Sequence, residues 1–229
     1  MSVLVIIQAR LGSSRLASKV LEPIGDFPVL FHVVIRAHHA LPFAKVLVAA
    51  PATDVAEMRE NCIGDYFGWG GPENDVLGRF SAAVGLSDAS TIVRLTADCP
   101  FVDTAGIRAV ADAVESGEAD YAWTGDQVNG LDAEAFTPKA LARAHRYATS
   151  ATDREHCTPW IQRHASRVYR FPGFDLYPRY RWTIDRPDDL QWARQVAALT
   201  DTAPPDPSAE TLHALIQATP HLLRLDHAA

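Results

Sequence analysis

Apolar and polar positions change their spacing several times along the first half of the chain. Residues 3–7 form a continuous apolar run, which is typical of a strand buried on both faces. Residues 45–50 and 91–96 are similar runs, whereas the apolar positions of residues 28–40 recur at helical spacing. The first half therefore predicts strands separated by helices.

Spacing and capping residues together predict the remaining elements of this half. They indicate helices over 53–62, 75–87 and 104–115, and strands over 65–69 and 120–123. Because short connections and helical crossovers join the strands, the pattern favours a mostly parallel sheet with helices on both faces. The predicted fold class is α/β.

The alternation breaks between residues 125 and 180. Here the pattern predicts an extended segment over 130–136, helices over 138–148 and 153–164, and an exposed strand over 166–171. A strand over 181–185, helices over 186–199 and 209–218, and a linker over 203–208 complete the chain. We expect a single domain over residues 1–229, with an irregular substrate or dimerisation subregion at about 125–180.

Composition and charge narrow the class of protein. The formal net charge is −7 and the isoelectric point is about 5.7, which argues against nucleic acid as a partner, since binding to phosphate backbones needs a broad basic face. No apolar run reaches the ~18 residues of a membrane span. The first residues lack the regions of a signal peptide, and the three cysteines indicate free thiols. We therefore expect a cytoplasmic protein.

The segment after the first predicted strand is basic in an otherwise acidic chain. Residues 8–19 contain no acidic residue and three cations, namely Arg10, Arg15 and Lys19. Gly12 allows a tight turn, and Ser13 and Ser14 offer hydroxyl and amide groups. Such groups bind phosphate oxygens, and ligands of open α/β sheets bind at the carboxyl ends of strands. The segment predicts an anion site; the alternative is a solvated basic loop.

Two aspartates follow predicted strands at the same edge of the sheet. Asp98 comes after the strand over 91–96, and Asp185 ends the strand over 181–185. Mg²⁺ favours one or two carboxylates together with phosphate oxygens and water, so the pair predicts a magnesium site. The alternatives are a turn residue at Asp98 and a helix N-cap at Asp185.

Other polar residues leave more than one interpretation open. Asp75 and Arg79 lie one helical turn apart, so they either pair on a solvated face or contact a ligand. Arg94 interrupts an apolar strand, so it either pairs with a buried acid or points into the cleft. The sequence lacks the motifs G-x-G-x-x-G, G-x-x-x-x-G-K-[ST], H-E-x-x-H and G-x-S-x-G, which disfavours dinucleotide-binding, P-loop, zinc-protease and serine-hydrolase classes.

Residues 8–21, QARLGSSRLASKVL, resemble the signature loop of the cytidylyltransferases that activate acidic sugars, the acylneuraminate and 3-deoxy-manno-octulosonate cytidylyltransferases. Four further stretches resemble the spore coat polysaccharide biosynthesis branch: ENDVL at 73–77, VRLTADCP at 93–100, REHCTP at 154–159 and WTIDRPDDL at 182–190. GLDAE at 130–134 is a weaker match. The family loop usually reads Leu-Pro-Gly-Lys, whereas this chain has Ala17 and Ser18 before Lys19; Asn129 replaces a proline that usually precedes Gly-Leu-Asp.

The resemblance implies a Rossmann-like nucleotidyltransferase fold, also called the nucleotide-diphospho-sugar transferase or type A glycosyltransferase fold. It implies these nucleotide-binding residues: Ala9, Arg10, Gly12, Ser13, Ser14, Arg15, Lys19, Gly71, Asp75 and Arg94. Lys19, Arg10 and Asp98 are expected to be catalytic, and Asp98 and Asp185 match the magnesium aspartates. The remaining matches suggest acceptor contacts at Arg79, Asp132, Glu134, Arg154 and His156.

The function expected from the resemblance is the transfer of CMP from CTP to an acidic sugar or similar anionic acceptor, with release of pyrophosphate. The setting would be the biosynthesis of a surface polysaccharide or glycan. The expected partners are CTP, or another NTP, and a small acidic sugar, with Mg²⁺ as cofactor. Because the family is commonly dimeric, we also expect a homodimer. Two alternatives stay open: a type A glycosyltransferase that uses a nucleotide sugar, and a non-catalytic nucleotide-binding protein.

Overall fold

The computed structural model describes residues 2–125, 128–172, 181–200 and 208–223. Its strands are β1 (Val3–Gln8), β2 (Pro23–Ile24), β3 (Phe27–Pro28), β4 (Lys45–Pro51), β5 (Asp65–Trp69), β6 (Thr91–Thr96), β7 (Tyr121–Trp123), β8 (Glu134–Phe136) and β9 (Val168–Arg170). Its helices are α1 (Val29–Ala40), α2 (Val55–Asn61), α3 (Val76–Val84), α4 (Thr104–Glu115), α5 (Pro138–Tyr147), α6 (Ala151–His156), α7 (Pro159–His164), α8 (Pro187–Thr200) and α9 (Ala209–Ala218). Short 3₁₀ turns lie at Lys19–Leu21 and Pro220–Leu222.

β1 lies in the middle of the parallel part of a seven-stranded sheet, whose order is β5-β4-β1-β6-β8-β7-β9. Ile6 of β1 is in register with Leu47 of β4 on one side and Arg94 of β6 on the other. β5, β4, β1 and β6 are parallel, whereas β8 runs antiparallel to both β6 and β7. The predicted α/β fold with a mostly parallel sheet is confirmed.

The two faces of β1 explain why helices cover both sides of the sheet. Val5 and Ile7 belong to a core cluster that includes residues of α1 and α4. Leu4 and Ile6 belong to a second cluster, which includes residues of α3, α5 and α7. All four side chains are nearly inaccessible to water, as expected for a run that is apolar at every position from Val3 to Ile7.

A third core cluster holds the C-terminal helices against the rest of the protein. Trp182 and Ile184 are fully buried there with apolar residues of α8 and α9. The backbone of this stretch is tied to two different segments, since Trp182 N donates to Asn129 O (2.7 Å) and Ile184 N donates to Asp98 O (2.9 Å). These bonds bring Asp185 to the edge of the sheet that carries Asp98.

Local signals set several helix ends. Asp103 accepts a hydrogen bond from Gly106 N (2.6 Å) and begins α4, which has the predicted bounds 104–115. Thr137 caps α5 in the same way, directly before Pro138 at the first helical position. α9 also has its predicted bounds, 209–218, and Ser208 caps it. The three cysteines are free and buried. No helix of the described ranges is both long and apolar enough to cross a membrane.

Three predicted elements differ from the structure. The helix predicted over 153–164 is two helices, α6 and α7, because Cys157 between them has a positive φ of 66° and Pro159 begins the second helix. The predicted strand over 181–185 is extended chain that forms one isolated bridge, between Asn129 and Arg181. Of the segment predicted over 130–136, β8 includes the last three residues. The predicted linker, Ser208 apart, lies outside the described residues.

Candidate nucleotide-binding site

A cleft of about 270 Å³ opens at the carboxyl ends of β1 and β6. The segment after β1 lines it with Gln8, Ala9, Arg10, Ser13, Ser14, Arg15, Lys19 and Val20. α3 and the turn before it contribute Glu73, Asn74, Val76 and Arg79, and the end of β6 with the turn after it contributes Thr96, Ala97 and Asp98. Glu155 and His156 at the end of α6, together with Asp185, complete the lining. The cleft therefore brings the predicted basic loop and both predicted metal aspartates together.

Backbone hydrogen bonds hold the basic loop in place. Leu11 N donates to Asp54 Oδ2 (2.8 Å), and Ser18 N donates back to Leu11 O (3.0 Å), which closes the loop on itself. Ser18 has φ 50° and ψ 25°, the left-handed conformation that favours glycine. It occupies the position where the resembling family usually has glycine. The following 3₁₀ turn then begins with Lys19.

Lys19 lies between the two aspartates. Its Nζ donates to Asp98 Oδ2 and to Asp185 Oδ1, both at 2.7 Å, and its side chain is 11% exposed. Burial alone would lower the pKa of Lys19, but attraction to Asp98 and hydrogen bonds to both carboxylates raise it above its ordinary value. Lys19 is therefore a firmly protonated cation in this structure.

Asp185 is surrounded by cations and fixed at its backbone. Arg15 lies 3.3 Å from Oδ1, and Arg181 donates to Oδ2. Burial would raise the pKa of Asp185, but the hydrogen bond and charge of Lys19, together with both arginines, lower it. Asp189, in the first turn of α8, accepts hydrogen bonds from Asp185 N (2.6 Å) and Arg186 N (2.8 Å) and so holds the backbone that carries Asp185.

The arrangement of Asp98 and Asp185 fits a single cation. Both carboxylates face one point, because both accept hydrogen bonds from the same nitrogen. Two carboxylates are a set that Mg²⁺ uses when phosphate oxygens and water complete its shell. Within the described residues, no group of three or more histidine, cysteine or acidic side chains could hold a metal by itself. A metal here would need ligands from a bound substrate.

Arg10 extends across the cleft mouth to the turn before α3. Its NH1 donates to Glu73 Oε1 (3.1 Å) and to Asn74 Oδ1 (3.4 Å). Gly12 lies against the same carboxylate, since a Cβ at this position would be 3.2 Å from Glu73 Oε1. Sequence reasoning did not assign Glu73 a role, although it belongs to the matched stretch ENDVL.

Arg79 is a buried clamp beneath the cleft. Its guanidinium donates to three backbone carbonyls, those of Ala9 (3.1 Å), Ala49 (3.4 Å) and Glu73 (2.6 Å). It does not pair with Asp75 on a solvated helix face, which was one of the two interpretations. Arg79 instead joins the end of β1, the neighbouring strand β4 and the turn before α3.

Arg94 pairs with an acid, which decides between its two interpretations. Its guanidinium donates to Glu134 and to Gln8 Oε1 (3.0 Å), and Tyr121 OH donates to the other oxygen of Glu134 (2.5 Å). Glu134 lies on β8, directly opposite Arg94 in the antiparallel register. Because Gln8 lines the cleft, this network reaches the cleft through Gln8.

Seven residues predicted for the site lie outside the cleft lining: Gly12 and Arg94, whose contacts are given above, and five others that have local structural contacts. Gly71 packs under the Trp69 ring, where a Cβ would come within 2.3 Å of the indole. Asp132 accepts a hydrogen bond from Gly130 N (3.0 Å). Asp75 and Arg154 pair with each other, and Glu134 pairs with Arg94. Sequence reasoning missed Gln8, Asn74 and Glu155, although each lies within a matched stretch, and this membership was the available signal.

The Asp75–Arg154 pair links the start of α3 to α6. Asp75 caps α3 by accepting from Gly78 N (3.0 Å), and Arg154 NH2 donates to Asp75 Oδ2 (2.7 Å). Burial would raise the pKa of Asp75, but these two hydrogen bonds lower it. The pair positions the helix that carries Glu155 and His156 into the cleft.

Asp75→Asn is expected to lower the free energy of unfolding by about 1 kcal/mol at pH 7, because asparagine keeps the cap but loses the ion pair. Because the pKa of Asp75 is lower in the folded protein than in the unfolded chain, its carboxylate stabilises the fold fully at pH values above the ordinary pKa of a carboxyl group. This stabilisation is lost as the pH falls through the lowered pKa. The difference between variant and wild type should therefore shrink in acid. Urea titrations at pH 7 and pH 3 measure it; an equal difference at both values would contradict the assignment.

The protein has a mostly parallel sheet, a cationic loop after the central strand, and two aspartates that face this loop. These features define an α/β protein with an anion-binding cleft. The family model described as cytidylyltransferase matches residues 4–215. The chain therefore belongs to the cytidylyltransferase family, whose members are nucleotidyltransferases.

Two curated relatives illustrate this membership. The spore coat polysaccharide biosynthesis protein SpsF of Bacillus subtilis is 31% identical over an alignment of 232 positions, which covers 95% of each chain. The 3-deoxy-manno-octulosonate cytidylyltransferase of Xanthomonas euvesicatoria is 36% identical over 122 residues, which cover 52% of this chain and 47% of that protein. The suspected family and branch are thereby confirmed.

Solved structures share the fold. A cytidylyltransferase from Leptospira borgpetersenii superposes with a TM-score of 0.81 at 24% identity, over 100% of this chain and 98% of the other. A CMP:2-keto-3-deoxy-manno-octonic acid synthetase complexed with CTP superposes with a TM-score of 0.65 at 17% identity, over 87% and 99% of the two chains. Both comparisons extend the match in fold to most of the chain.

Proposed function

We propose that the protein transfers CMP from CTP to an acidic sugar or a similar anionic acceptor and releases pyrophosphate, in the biosynthesis of a surface polysaccharide or glycan. The observation that carries the proposal is the convergence of Lys19, Asp98 and Asp185 at the cleft, beside Arg10 and Arg15. Membership of the cytidylyltransferase family and the names of the two curated relatives support it.

The residues suit this chemistry. An acceptor oxygen attacks the α-phosphorus in line with the departing pyrophosphate, so the protein must mainly position the reactants and neutralise charge. Arg10, Arg15 and Lys19 would bind the phosphates and stabilise the pyrophosphate as it leaves. Ser13 and Ser14 add hydroxyl and amide groups in the same loop.

Asp98 and Asp185 would hold Mg²⁺ in the loaded enzyme. The metal supplies positive charge that polarises the α-phosphate and can lower the pKa of an attacking hydroxyl. The protein's contribution is to present two carboxylates to one point, with the Asp185 backbone anchored by Asp189.

The acceptor is proposed to lie at the α6 side of the cleft. Glu155 and His156 reach the cleft there, opposite the basic loop, and the Asp75–Arg154 pair holds their helix in place. A homodimer remains part of the proposal, as the family resemblance implies. Light scattering coupled to size exclusion tests it; a monomer mass would contradict it.

The test of function is pyrophosphate release from each of the four NTPs with Mg²⁺, against sialic acid, related nonulosonic acids and 3-deoxy-manno-octulosonate. We expect release with CTP and an acidic sugar and none with CTP alone. Thermal stabilisation by CTP without turnover in this panel would favour a nucleotide-binding protein. Consumption of a nucleotide sugar without pyrophosphate release would favour a glycosyltransferase.

A further inference from the structure

The point that a metal would occupy between Asp98 and Asp185 already holds a cation. We propose that Lys19 is the resident counter-ion of the two aspartates in the nucleotide-free protein, and that a divalent metal binds them well only after a nucleotide has drawn Lys19 away. Nucleotide and metal therefore bind cooperatively. This inference deepens the proposed function and rests on it in assigning the cleft to a nucleotide.

Geometry makes Lys19 and a metal mutually exclusive between the aspartates. The ammonium lies 2.7 Å from one oxygen of each carboxylate, so an ion bound to both oxygens must take the place of Nζ. The lysine side chain is 11% exposed and the carboxylates are 28% and 18% exposed, so water screens the three charges poorly. A metal that entered beside a protonated Lys19 would meet strong repulsion.

Some other charges in and around the cleft are paired in a similar way. Arg15 and Arg181 contact Asp185, and Arg10 contacts Glu73. A triphosphate that arrived alone would have to draw cations from these acids, and Asp185, which is 18% exposed, would be left with fewer partners, which is costly. A metal that arrived alone would have to displace Lys19 from both aspartates with no phosphate there to receive it.

When a nucleotide and a metal bind together, neither the carboxylates nor Lys19 is left without a partner of opposite charge. The phosphates receive Lys19, the two aspartates receive the metal, and each charge keeps a partner of opposite sign. Lysine suits this exchange because its point charge sits on a flexible four-carbon stem, so the ammonium can move without the backbone. The structure thus assigns Lys19 two successive partners, the aspartates first and the phosphates second.

The first test measures Mn²⁺ binding without nucleotide, from the electron paramagnetic resonance signal of free Mn²⁺. We expect Lys19→Met and Lys19→Gln to bind Mn²⁺ about tenfold or more tightly than the wild type, because a like charge has left the site. Lys19→Arg keeps the charge and should bind as weakly as the wild type. Lys139→Met, a matched change on the exposed side of α5, should also resemble the wild type.

A double variant locates the gained affinity. Lys19→Met combined with Asp98→Asn should lose the tighter Mn²⁺ binding, and Mn²⁺ should raise the melting temperature of Lys19→Met but not of the double variant. Equal Mn²⁺ affinity in the wild type and in both neutral Lys19 variants, with melting curves showing that all are folded, would overturn the proposal.

The second test repeats the Mn²⁺ titration with a CTP analogue that has a methylene bridge between the α- and β-phosphorus atoms. In the wild type the analogue should raise Mn²⁺ affinity, and Mn²⁺ should raise the affinity for the analogue by the same factor. Lys19→Met should shrink this factor. If no nucleotide binds, the proposed function fails, whereas the nucleotide-free comparison still decides the role of Lys19.

Discussion

Asparagine in place of Asp98 is expected to reduce the rate of pyrophosphate release by about 10²-fold or more, the usual effect of removing a preorganised electrostatic group. Asp98 lies at the end of β6, where its carboxylate faces Asp185 across Lys19. The amide keeps the shape of the side chain but loses the charge that the metal needs. The loss should therefore appear in kcat, in addition to the roughly 1 kcal/mol by which the lost ion pair with Lys19 lowers the free energy of unfolding.

The measurement is the rate of pyrophosphate release at saturating CTP, acceptor and Mg²⁺. Asp88→Asn is the matched control, since Asp88 is exposed in the connection before β6, at the opposite end of that strand. It should react at the wild-type rate. Near-wild-type turnover of Asp98→Asn with Mg²⁺ present would show that Asp98 holds no catalytic metal.

Replacing Arg79 by methionine is expected to lower the free energy of unfolding by about 2–4 kcal/mol, since each buried carbonyl left without a donor costs roughly 1–3 kcal/mol. Arg79 is 2% exposed and donates to the carbonyls of Ala9, Ala49 and Glu73. Methionine fills much of the space but has no donor. Because Ala9 O and Glu73 O lose a bond together, the loop after β1 should also hold nucleotide less tightly.

Urea unfolding and CTP titration measure these two effects. Lys139→Met on the exposed side of α5 is the control and should change neither quantity by more than about 0.5 kcal/mol. Arg79→Lys should recover part of the stability at most, because an ammonium lacks the planar fork that reaches carbonyls on separate segments. An Arg79→Met variant with the wild-type free energy of unfolding would contradict the role assigned to the hydrogen bonds of Arg79.

The sequence predicts well those parts of the fold that depend on neighbouring residues. Apolar runs identify β1 and β6, and a capping aspartate with helical spacing identifies α4 to the residue. The same logic places the basic loop and Asp98 at one edge, because parallel strands end together. For these features, the cause lies within a few residues of the effect.

Contacts between residues far apart in the sequence determine the strand pairings and side-chain partners that the sequence does not predict. β8 inserts antiparallel between β6 and β7, and the three residues of this strand carry no mark of that pairing. The residues around 181–185 look like a strand, yet their backbone bonds go to two distant segments, at Asn129 and Asp98. Whether Arg79 meets a ligand or the backbone depends on packing between β1, β4 and α3, and periodicity does not encode this choice.

The backbone of Ser18 bears on how proteins of this kind are recognised. Its left-handed conformation, which favours glycine, and its hydrogen bond to Leu11 define the path of the loop in this chain, which has alanine and serine where the resembling family usually has proline and glycine. A serine can therefore take the left-handed backbone that precedes Lys19. A sequence search that requires Pro-Gly in this loop would miss a chain such as this one. A structural search for a left-handed residue directly before a lysine would find it.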